Sequence, residues 1–259
     1  MKTLSLLKKL AHFFPKKYAY ENYDFPGLQI GKLKKDTNCV LVCLDFDEEV
    51  YKIMVERNLF KEVDLIITHH PFIYGTRAKV LKGDENKAKL THLMEKHGIP
   101  IYSFHTNFDK GQNGMNDALA NKLELKNIHS LEFNDMGRGG ELTNPMEIHD
   151  FAHYAKEKLG VSYSLLLNYG VKTIKTVSII GGGGWGAYKD AKDAGYDIYI
   201  SGDIPHHGRR GVISFNCNYL DMPHEIERIF MKQMSSIIQS FDQDIKIIEI
   251  DHEKLPELI

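Results

Sequence analysis

The sequence predicts an α/β protein built around a largely parallel sheet. Short apolar runs at 40–44, 65–68 and 101–104 alternate with helical patterns at 48–57 and 86–97. Strands that alternate with helices usually pair in parallel, because each helix carries the chain back across one face of the sheet. Polar residues follow the ends of these runs, where α/β proteins place their ligands. We therefore expect a functional site at the carboxyl ends of the strands.

The first half of the chain begins with an amphipathic helix, because leucines between positions 4 and 10 recur on one helical face. After the third strand we expect a loop at 105–114 and a helix at 115–123. The stretch 129–147 is rich in Gly, Asn, Asp and Met, which predicts a hinge between two lobes. The predicted domains are therefore 1–128 and 129–259.

The second half repeats the order of strand, turn, helix and strand, which indicates a duplicated architecture. Its predicted elements are a helix at 148–159, a strand at 176–180, a glycine run at 181–184, a helix at 187–194, strands at 198–201 and 212–216, and a helix from near His224 to about 239.

Composition excludes several classes of protein. A net charge of −2 and a pI near 6.7 give no general attraction to nucleic acid or to anionic membranes. No apolar stretch approaches transmembrane length, and Lys8 and Lys9 interrupt the N-terminal apolar run, which argues against a signal sequence. Three cysteines are too few for a disulfide framework, so a cytoplasmic location is expected.

Paired histidines directly after the strand at 65–68 form the most informative motif. Neighbouring side chains of a strand point to opposite faces, so His69 and His70 can converge only where the strand has ended and the chain turns. Pro71 favours this ending because it lacks the N–H that would continue the sheet. Imidazole is a common ligand of transition metals, so the motif indicates either a metal site or a pair of hydrogen-bonded loop histidines.

Two further segments extend the candidate metal site. Asp109 follows the strand at 101–104, and His224 with Glu227 lies at i, i+3 near the start of the last helix. Each has a structural alternative, namely a turn residue for Asp109 and a favourable interaction with the helix dipole for Glu227. Taken together, His69, His70, Asp109, His224 and Glu227 exceed the needs of one catalytic ion and favour two divalent ions, Zn, Mn, Fe or Co.

Further residues add candidate functions around this site. His105 and His207 are predicted catalytic residues that orient ligands or shuttle protons, and Asp203 belongs to a segment whose residues could orient ligands or donate protons. Arg209 or Arg210 could hold a phosphate. The glycine run at 181–184 is open to two interpretations, a nucleotide-phosphate loop or close packing of a strand against a helix.

Several segments together closely resemble the Nif-three-like family, whose members include GTP cyclohydrolase 1 type 2 homologs and dinuclear metal-centre hexameric proteins. The similarity runs from about Tyr23 to Met231 and rests on YDFPGLQIG, LDFDEEV, DLIITHHPF, IYSFHTNFDKGQNGMNDALANKL, AKDAGYDIYISGD and DMPHEIE. Tyr23 to Pro26 depart from the family's Trp-Asp-Asn signature. Pro223 replaces a glycine, and Arg228 stands where some relatives carry the ligand glutamate, so Glu227 takes that role with Glu225 as an alternative.

The resemblance implies a fold of two similar α/β lobes facing a central cleft and a homohexamer assembled as a trimer of dimers. It names the same five ligands, with Asp109 and Glu227 as bridging carboxylates. It implies a metal-dependent hydrolase, GTP cyclohydrolase-like or phosphodiesterase-like, that acts on a nucleotide or a related phosphate compound. The alternative is a non-enzymatic metal-binding scaffold or regulator that acts through the ring.

Overall fold

The computed structural model describes residues 1–20, 24–257 and 259, so Tyr23 of the family signature lies outside the described residues. These described residues have the predicted α/β architecture and form two sheets. Its strands are β1 (Gly27–Ile30), β2 (Cys39–Cys43), β3 (Leu65–Thr68), β4 (Ile101–Ser103), β5 (Lys126–Ser130), β6 (Arg138–Glu147), β7 (Leu165–Asn168), β8 (Thr173–Ile179), β9 (Ile198–Gly202), β10 (Asn218–Met222) and β11 (Lys246–Glu249). Its α-helices are α1 (Thr3–Phe13), α2 (Glu48–Glu56), α3 (Arg77–Gly83), α4 (Glu85–His97), α5 (Thr106–Lys110), α6 (Met115–Lys122), α7 (Ile148–Leu159), α8 (Tyr188–Asp193), α9 (His206–Ser214) and α10 (Ile229–Phe241).

The chain divides into two compact units that differ from the predicted domains. The first unit comprises 1–114 and 230–253, and the second comprises 115–229 and 254–259. The boundary lies earlier than position 128 because α6 contacts β6 and β8 of the second sheet. The C-terminal segment belongs to the first unit because β11 pairs in parallel with β2.

The first unit contains a sheet of order β1-β4-β3-β2-β11, in which all described neighbours except β1 and β4 pair in parallel. Its three central strands read CVLVC, LIIT and IYS, and nearly all of their side chains are buried. Apolar runs of this kind are typical of strands covered on both faces. As predicted, α1 buries Leu6, Leu7 and Leu10, whereas Leu4 is exposed.

The second unit contains a sheet of order β5-β6-β8-β9-β10-β7, with β8, β9 and β10 parallel and the outer strands antiparallel. The predicted hinge at 129–147 is therefore wrong, because β6 is an internal strand that pairs with both β5 and β8. A side chain at Gly139 would overlap the hydroxyl of Tyr196. The glycines of this segment thus allow close packing rather than flexibility.

Two further expectations require correction. The predicted strand at 212–216 lies mostly in α9, where Val212 is buried as part of an amphipathic helical face that begins after Pro205. The strand follows at β10. The predicted loop at 105–114 contains the short helix α5, whose single turn is too brief to show a helical period. Within the described parts of the chain, no helix has the length and apolar character needed to cross a bilayer.

Candidate metal site

Strand register gathers polar side chains at one edge of the first sheet. Parallel pairing aligns Cys43 with Thr68, and Thr68 with Ser103. Asp45, His70 and His105 each follow two residues after these aligned positions. The carboxyl ends of β2, β3 and β4 therefore bring an acid and two histidines together, as is usual for ligand sites in α/β proteins.

Hydrogen bonds fix the turn that carries the paired histidines. The backbone N–H groups of His69 and His70 both donate to the carbonyl of Leu44, at 3.0 and 3.1 Å. The hydroxyl of Thr68 donates to the carbonyl of His70 at 2.9 Å, and the Ser103 hydroxyl approaches the same carbonyl at 3.2 Å. The strand ends here, as the sequence predicts, and the two imidazole centroids lie 4.9 Å apart.

His69 is fully buried and faces Asp109. Its Nδ1 donates to the carbonyl of Phe104 at 3.0 Å, and its Nε2 lies 3.5 Å from Oδ1 of Asp109. Asp109 lies on α5 and is 8 % exposed. The ring of Phe230 packs 5.2 Å from the imidazole of His69. This packing and the hydrogen bond to Phe104 determine the ring orientation.

His70 is held by the acid that follows β2. Its Nδ1 lies 2.7 Å from Oδ2 of Asp45. Burial alone would raise the pKa of Asp45, but the hydrogen bond and charge of His70, followed by the charge of His69, hold that pKa below its ordinary value. Asp45 therefore stays ionised and orients His70.

His105 is held in the same way by Asp24, with Nδ1 2.7 Å from Oδ1 of the carboxylate. His69, His70 and His105 each offer a ring nitrogen, and these three nitrogens lie within 4.8 Å of one another. The first unit thus brings together His69, His70, His105 and Asp109 from the predicted site residues.

The second unit carries its own candidate ligands in a 3-10 helix, His224–Arg228. Residues at i, i+3 eclipse each other in such a helix, and Nε2 of His224 lies 3.1 Å from Oε2 of Glu227. Glu227 is 3 % exposed. Nδ1 of His224 lies 2.5 Å from Oδ2 of Asp203, which follows β9. The geometry thus favours Glu227 over Glu225.

Glu227 is the main cause of a raised pKa at His224. The hydrogen bond and charge of Glu227, followed by those of Asp203, raise the pKa of His224 to about 9 although burial opposes the shift. In the metal-free protein the imidazole is therefore protonated at neutral pH. A metal ion has to displace that proton from Nε2 in order to bind.

His207 and the two arginines lie elsewhere in the second unit. His207 is exposed on α9, with its ring edge-on to Trp185 at 5.2 Å. Arg209 and Arg210 are exposed on the same helix. Among the described residues, His207 is not part of any group that could hold a metal ion. Its catalytic role and phosphate binding by the arginines stay predictions.

The four histidines of the two units share one arrangement. In each, Nδ1 is hydrogen-bonded to an oxygen. The partner of His69 is the carbonyl of Phe104. The partners of the other three are carboxylates: Asp45 for His70, Asp24 for His105 and Asp203 for His224. A carbonyl or an ionised carboxylate can only accept, so Nδ1 carries a proton and Nε2 is the ring nitrogen that would coordinate an ion. Metal-binding histidines usually have this arrangement, because the outer oxygen fixes the ring and its tautomer.

Two of these acids were not assigned roles from the sequence. Asp45 belongs to LDFDEEV and Asp24 to YDFPGLQIG, both of which attract notice only as parts of the family resemblance. A signal for Asp45 was available, because an acid two residues beyond a strand that neighbours the His70 strand lies beside it in register. Asp24 precedes the antiparallel strand β1, and its contact with His105 spans 81 positions. No local pattern predicts that contact.

Comparison with known proteins identifies the family. The family model described as Duf34/NIF3 (NGG1p interacting factor 3) matches residues 1–256. The chain belongs to the Duf34/NIF3 family. It is 33% identical over 239 residues to the GTP cyclohydrolase 1 type 2 homolog of Streptococcus pneumoniae, covering 90% of this chain and 88% of that protein.

Two further similarities extend over the whole chain. A GTP cyclohydrolase 1 type 2 homolog of Lactococcus lactis is 30% identical over 262 residues, which covers 99% of this Duf34/NIF3 chain and 98% of the relative. The crystal structure of a Staphylococcus aureus hypothetical protein superimposes with a TM-score of 0.86 at 25% identity, covering 100% of this chain and 99% of that one. The family and the α/β fold class implied by the motifs are thereby confirmed.

Proposed function

We propose that this Duf34/NIF3 protein binds two divalent metal ions and uses them to hydrolyse a nucleotide or a related phosphate compound. The observation that carries the proposal is the arrangement shared by the three ligand histidines, His69, His70 and His224. In each, an oxygen hydrogen-bonded to Nδ1 fixes the ring, so that Nε2 is the nitrogen that would coordinate an ion. Such an arrangement, repeated at three positions, supports metal binding.

The donor set fits a transition metal. Imidazole nitrogens and carboxylate oxygens are present without thiolates, because the three cysteines are buried elsewhere as free thiols within the described chain. This mixture suits Zn, Mn, Fe or Co better than calcium, which prefers an all-oxygen shell. We assign His69, His70 and Asp109 from the first unit, and His224 and Glu227 from the second, as ligands of the same pair of ions, as the family resemblance implies.

The chain's own residues supply orientation and charge. Asp45, Asp203 and the Phe104 carbonyl fix the rings of three ligand imidazoles through Nδ1, so little ring reorientation would be needed when an ion binds. Asp109 and Glu227 supply buried negative charge that offsets the charge of the ions. When bound, two divalent ions lower the pKa of coordinated water and polarise a carbonyl, ring carbon or phosphoryl oxygen.

The substrate class and the assembly are drawn from similarity. The name of the relatives, GTP cyclohydrolase 1 type 2 homolog, suggests a nucleotide. Exposed Arg209 and Arg210 on α9 offer cationic groups for its phosphates. We extend the proposal to a homohexamer arranged as a trimer of dimers and to a cytoplasmic location.

Metal content per chain tests the proposal. Protein purified without chelators should contain about two equivalents of a transition metal. His69→Ala and His224→Ala, which alter ligands of different units, should each lower that content. His92→Ala is a matched control, because His92 is exposed on α4 and should leave metal content unchanged. GTP and bis-p-nitrophenyl phosphate are then assayed for hydrolysis.

The outcomes separate the enzyme from its alternative. Metal loss in both ligand variants with hydrolysis by the wild-type protein supports the proposal. Two tightly held ions without hydrolysis of either probe favour a metal-binding scaffold or regulator. Less than one equivalent of metal, unchanged by either substitution and not restored by added ions, contradicts the metal centre itself.

A further inference from the structure

Asp24 is a buried carboxylate that accepts from several donors. Its side chain is 1 % exposed, and Oδ1 lies 2.7 Å from both Nδ1 of His105 and the backbone N–H of Phe25. Oδ2 accepts from the backbone N–H of Thr106 at 3.2 Å and from the hydroxyl of the same residue. These hydrogen bonds compensate the cost of burying the charge.

The balance of these effects keeps Asp24 ionised. Burial alone would raise the pKa of Asp24, but the hydrogen bond and charge of His105, with the hydrogen bonds from Thr106 and Phe25, hold it below its ordinary value. Asp45 and Asp203, which hold His70 and His224, have side chains 44% and 53% exposed. The side chain of Asp24 is therefore much more deeply buried than those of Asp45 and Asp203.

The surroundings of His105 differ from those of the assigned ligands. The ring of Tyr74 stands edge-on to His105 at 6.3 Å and to Phe25 at 5.3 Å. Tyr74 is 54% exposed, so this aromatic face is accessible. A cavity of about 450 Å³ adjoins Asp24 and is also lined by Phe25 and Arg77. His105 thus lies beside the rings of His69 and His70, at 5.2 and 5.6 Å, and is held by an acid that lines a space large enough for an organic molecule.

We propose that Asp24 is a positioning residue that fixes His105 with Nε2 as a hydrogen-bond acceptor, and that His105 is a catalytic residue that contacts substrate rather than an ion ligand. The inference rests on the proposed function and names a further residue pair for it. In the Nδ1–H tautomer, Nε2 can accept a hydrogen bond from a water, hydroxyl or amino group bound beside His69 and His70. The group that meets this imidazole is therefore a hydrogen-bond donor, either the attacking water or a hydroxyl or amino group of the substrate.

The first test reads the tautomer directly and needs no substrate. Long-range ¹H–¹⁵N spectra of protein with ¹⁵N-labelled histidine distinguish a protonated Nδ1 from a protonated Nε2, and His105→Gln assigns the signal. We expect His105 to carry its proton on Nδ1 in the wild-type protein, and to lose that preference in Asp24→Ala. Asp47→Ala is the matched control, because Asp47 holds His252 and accepts from backbone N–H groups outside the histidine cluster.

The second test separates a catalytic histidine from a ligand. In His105→Gln, Co²⁺ content should equal that of the wild-type protein, while kcat for bis-p-nitrophenyl phosphate should fall about 100-fold with little change in KM. In Asp24→Ala, kcat for the same probe should fall about 10-fold or more, again with little change in KM. If Asp24→Ala does not fold, judged by circular dichroism, His105→Gln alone decides the role of His105 and the wild-type tautomer decides that of Asp24.

Failure of this inference is distinct from failure of the proposed function. Loss of Co²⁺ from His105→Gln overturns the inference but does not contradict the metal centre. The same holds if the wild-type spectrum shows the His105 proton on Nε2. Unchanged kcat in His105→Gln overturns it as well. If the metal-loaded wild-type protein hydrolyses no probe, the proposed hydrolase fails, and the inference fails with it even where the tautomer is as expected.

Discussion

Gly182 lies directly against Glu227, with no space for a side chain between them. A Cβ at Gly182 would overlap Oε1 of Glu227 and lie 3.3 Å from Cε1 of His224, and the backbone at this glycine has φ +62°. The carbonyl of Gly182 accepts hydrogen bonds from the N–H of Gly202 at 2.8 Å and from the hydroxyl of Ser201 at 3.1 Å. The glycine run thus packs against the candidate ligands of the second unit.

Gly182→Ala should therefore damage the metal site. The added methyl group displaces Glu227 and must adopt a left-handed backbone conformation, so we expect a loss of about 1–3 kcal/mol in the free energy of unfolding. Metal content should also fall. Both quantities are measurable, by denaturant titration and by elemental analysis of the purified variant.

Gly183→Ala is the matched control. A Cβ at Gly183 meets its nearest heavy atom, Oδ2 of Asp203, at 3.6 Å, which is ordinary van der Waals contact. Stability and metal content should therefore remain close to those of the wild-type protein. If Gly183→Ala were the more damaging variant, the packing of Gly182 against Glu227 would not explain the glycine run. The interpretation of the run as a phosphate-binding loop would then be favoured.

Asp203→Asn should weaken metal binding without altering the backbone. Asp203 has φ +60°, a conformation that asparagine adopts readily, so the substitution removes the charge and keeps the turn. Loss of the carboxylate that orients His224 should lower metal affinity about 10- to 100-fold. Competition of the loaded protein with a chromogenic chelator measures this change, and an affinity equal to that of the wild-type protein would exclude an orienting role for Asp203.

Asp109→Asn tests the carboxylate assigned as a bridging ligand. The amide has nearly the same shape as the carboxylate, so α5 should keep its packing and circular dichroism should be unchanged. An amide is a poor bridge between two cations, so metal content should fall to about one equivalent or less. A folded variant that retains the full metal content would remove Asp109 from the ligand set.

The sequence predicts those parts of the site that depend on local chain geometry. Paired histidines, a following proline and a preceding apolar run are sufficient to place His69 and His70 at the end of β3. His224 and Glu227 could also be paired from sequence, because three residues separate neighbours on one side of a helical turn. Both predictions need only the residues of a single element.

Features that depend on distant pairing were not predicted. β11 joins the first sheet through β2, more than 200 positions earlier in the chain, so the unit to which 230–253 belongs could not be read from its composition. The contact between Asp24 and His105 also joins distant parts of the chain, so it could not be predicted either. The error at 212–216 is different, because a short apolar run fits the buried face of a helix as well as a strand.

The ion pair between His252 and Asp47 should make stability depend on pH. Nε2 of His252 lies 3.0 Å from Oδ2 of Asp47, and the hydrogen bond and charge of Asp47 raise the pKa of His252 above its ordinary value although burial opposes the shift. Burial would raise the pKa of Asp47, but its hydrogen bonds to His252 and to the first turn of α2 hold that pKa below its ordinary value. Folding therefore favours the charged form of both groups.

The direction of the pH effect follows from these shifts. The contribution of His252 is complete below its ordinary pKa of 6.5 and is lost as pH rises through the raised pKa of the folded state. The contribution of Asp47 is complete above its ordinary pKa of 3.8 and is lost as pH falls through the lowered value. His252→Gln should thus lower the free energy of unfolding by about 0.5–1 kcal/mol near pH 6, because Asp47 is partly exposed, and by less at pH 10. Urea titrations at both pH values measure the difference, with His92→Gln as control, and a deficit that grows at alkaline pH would refute the assignment.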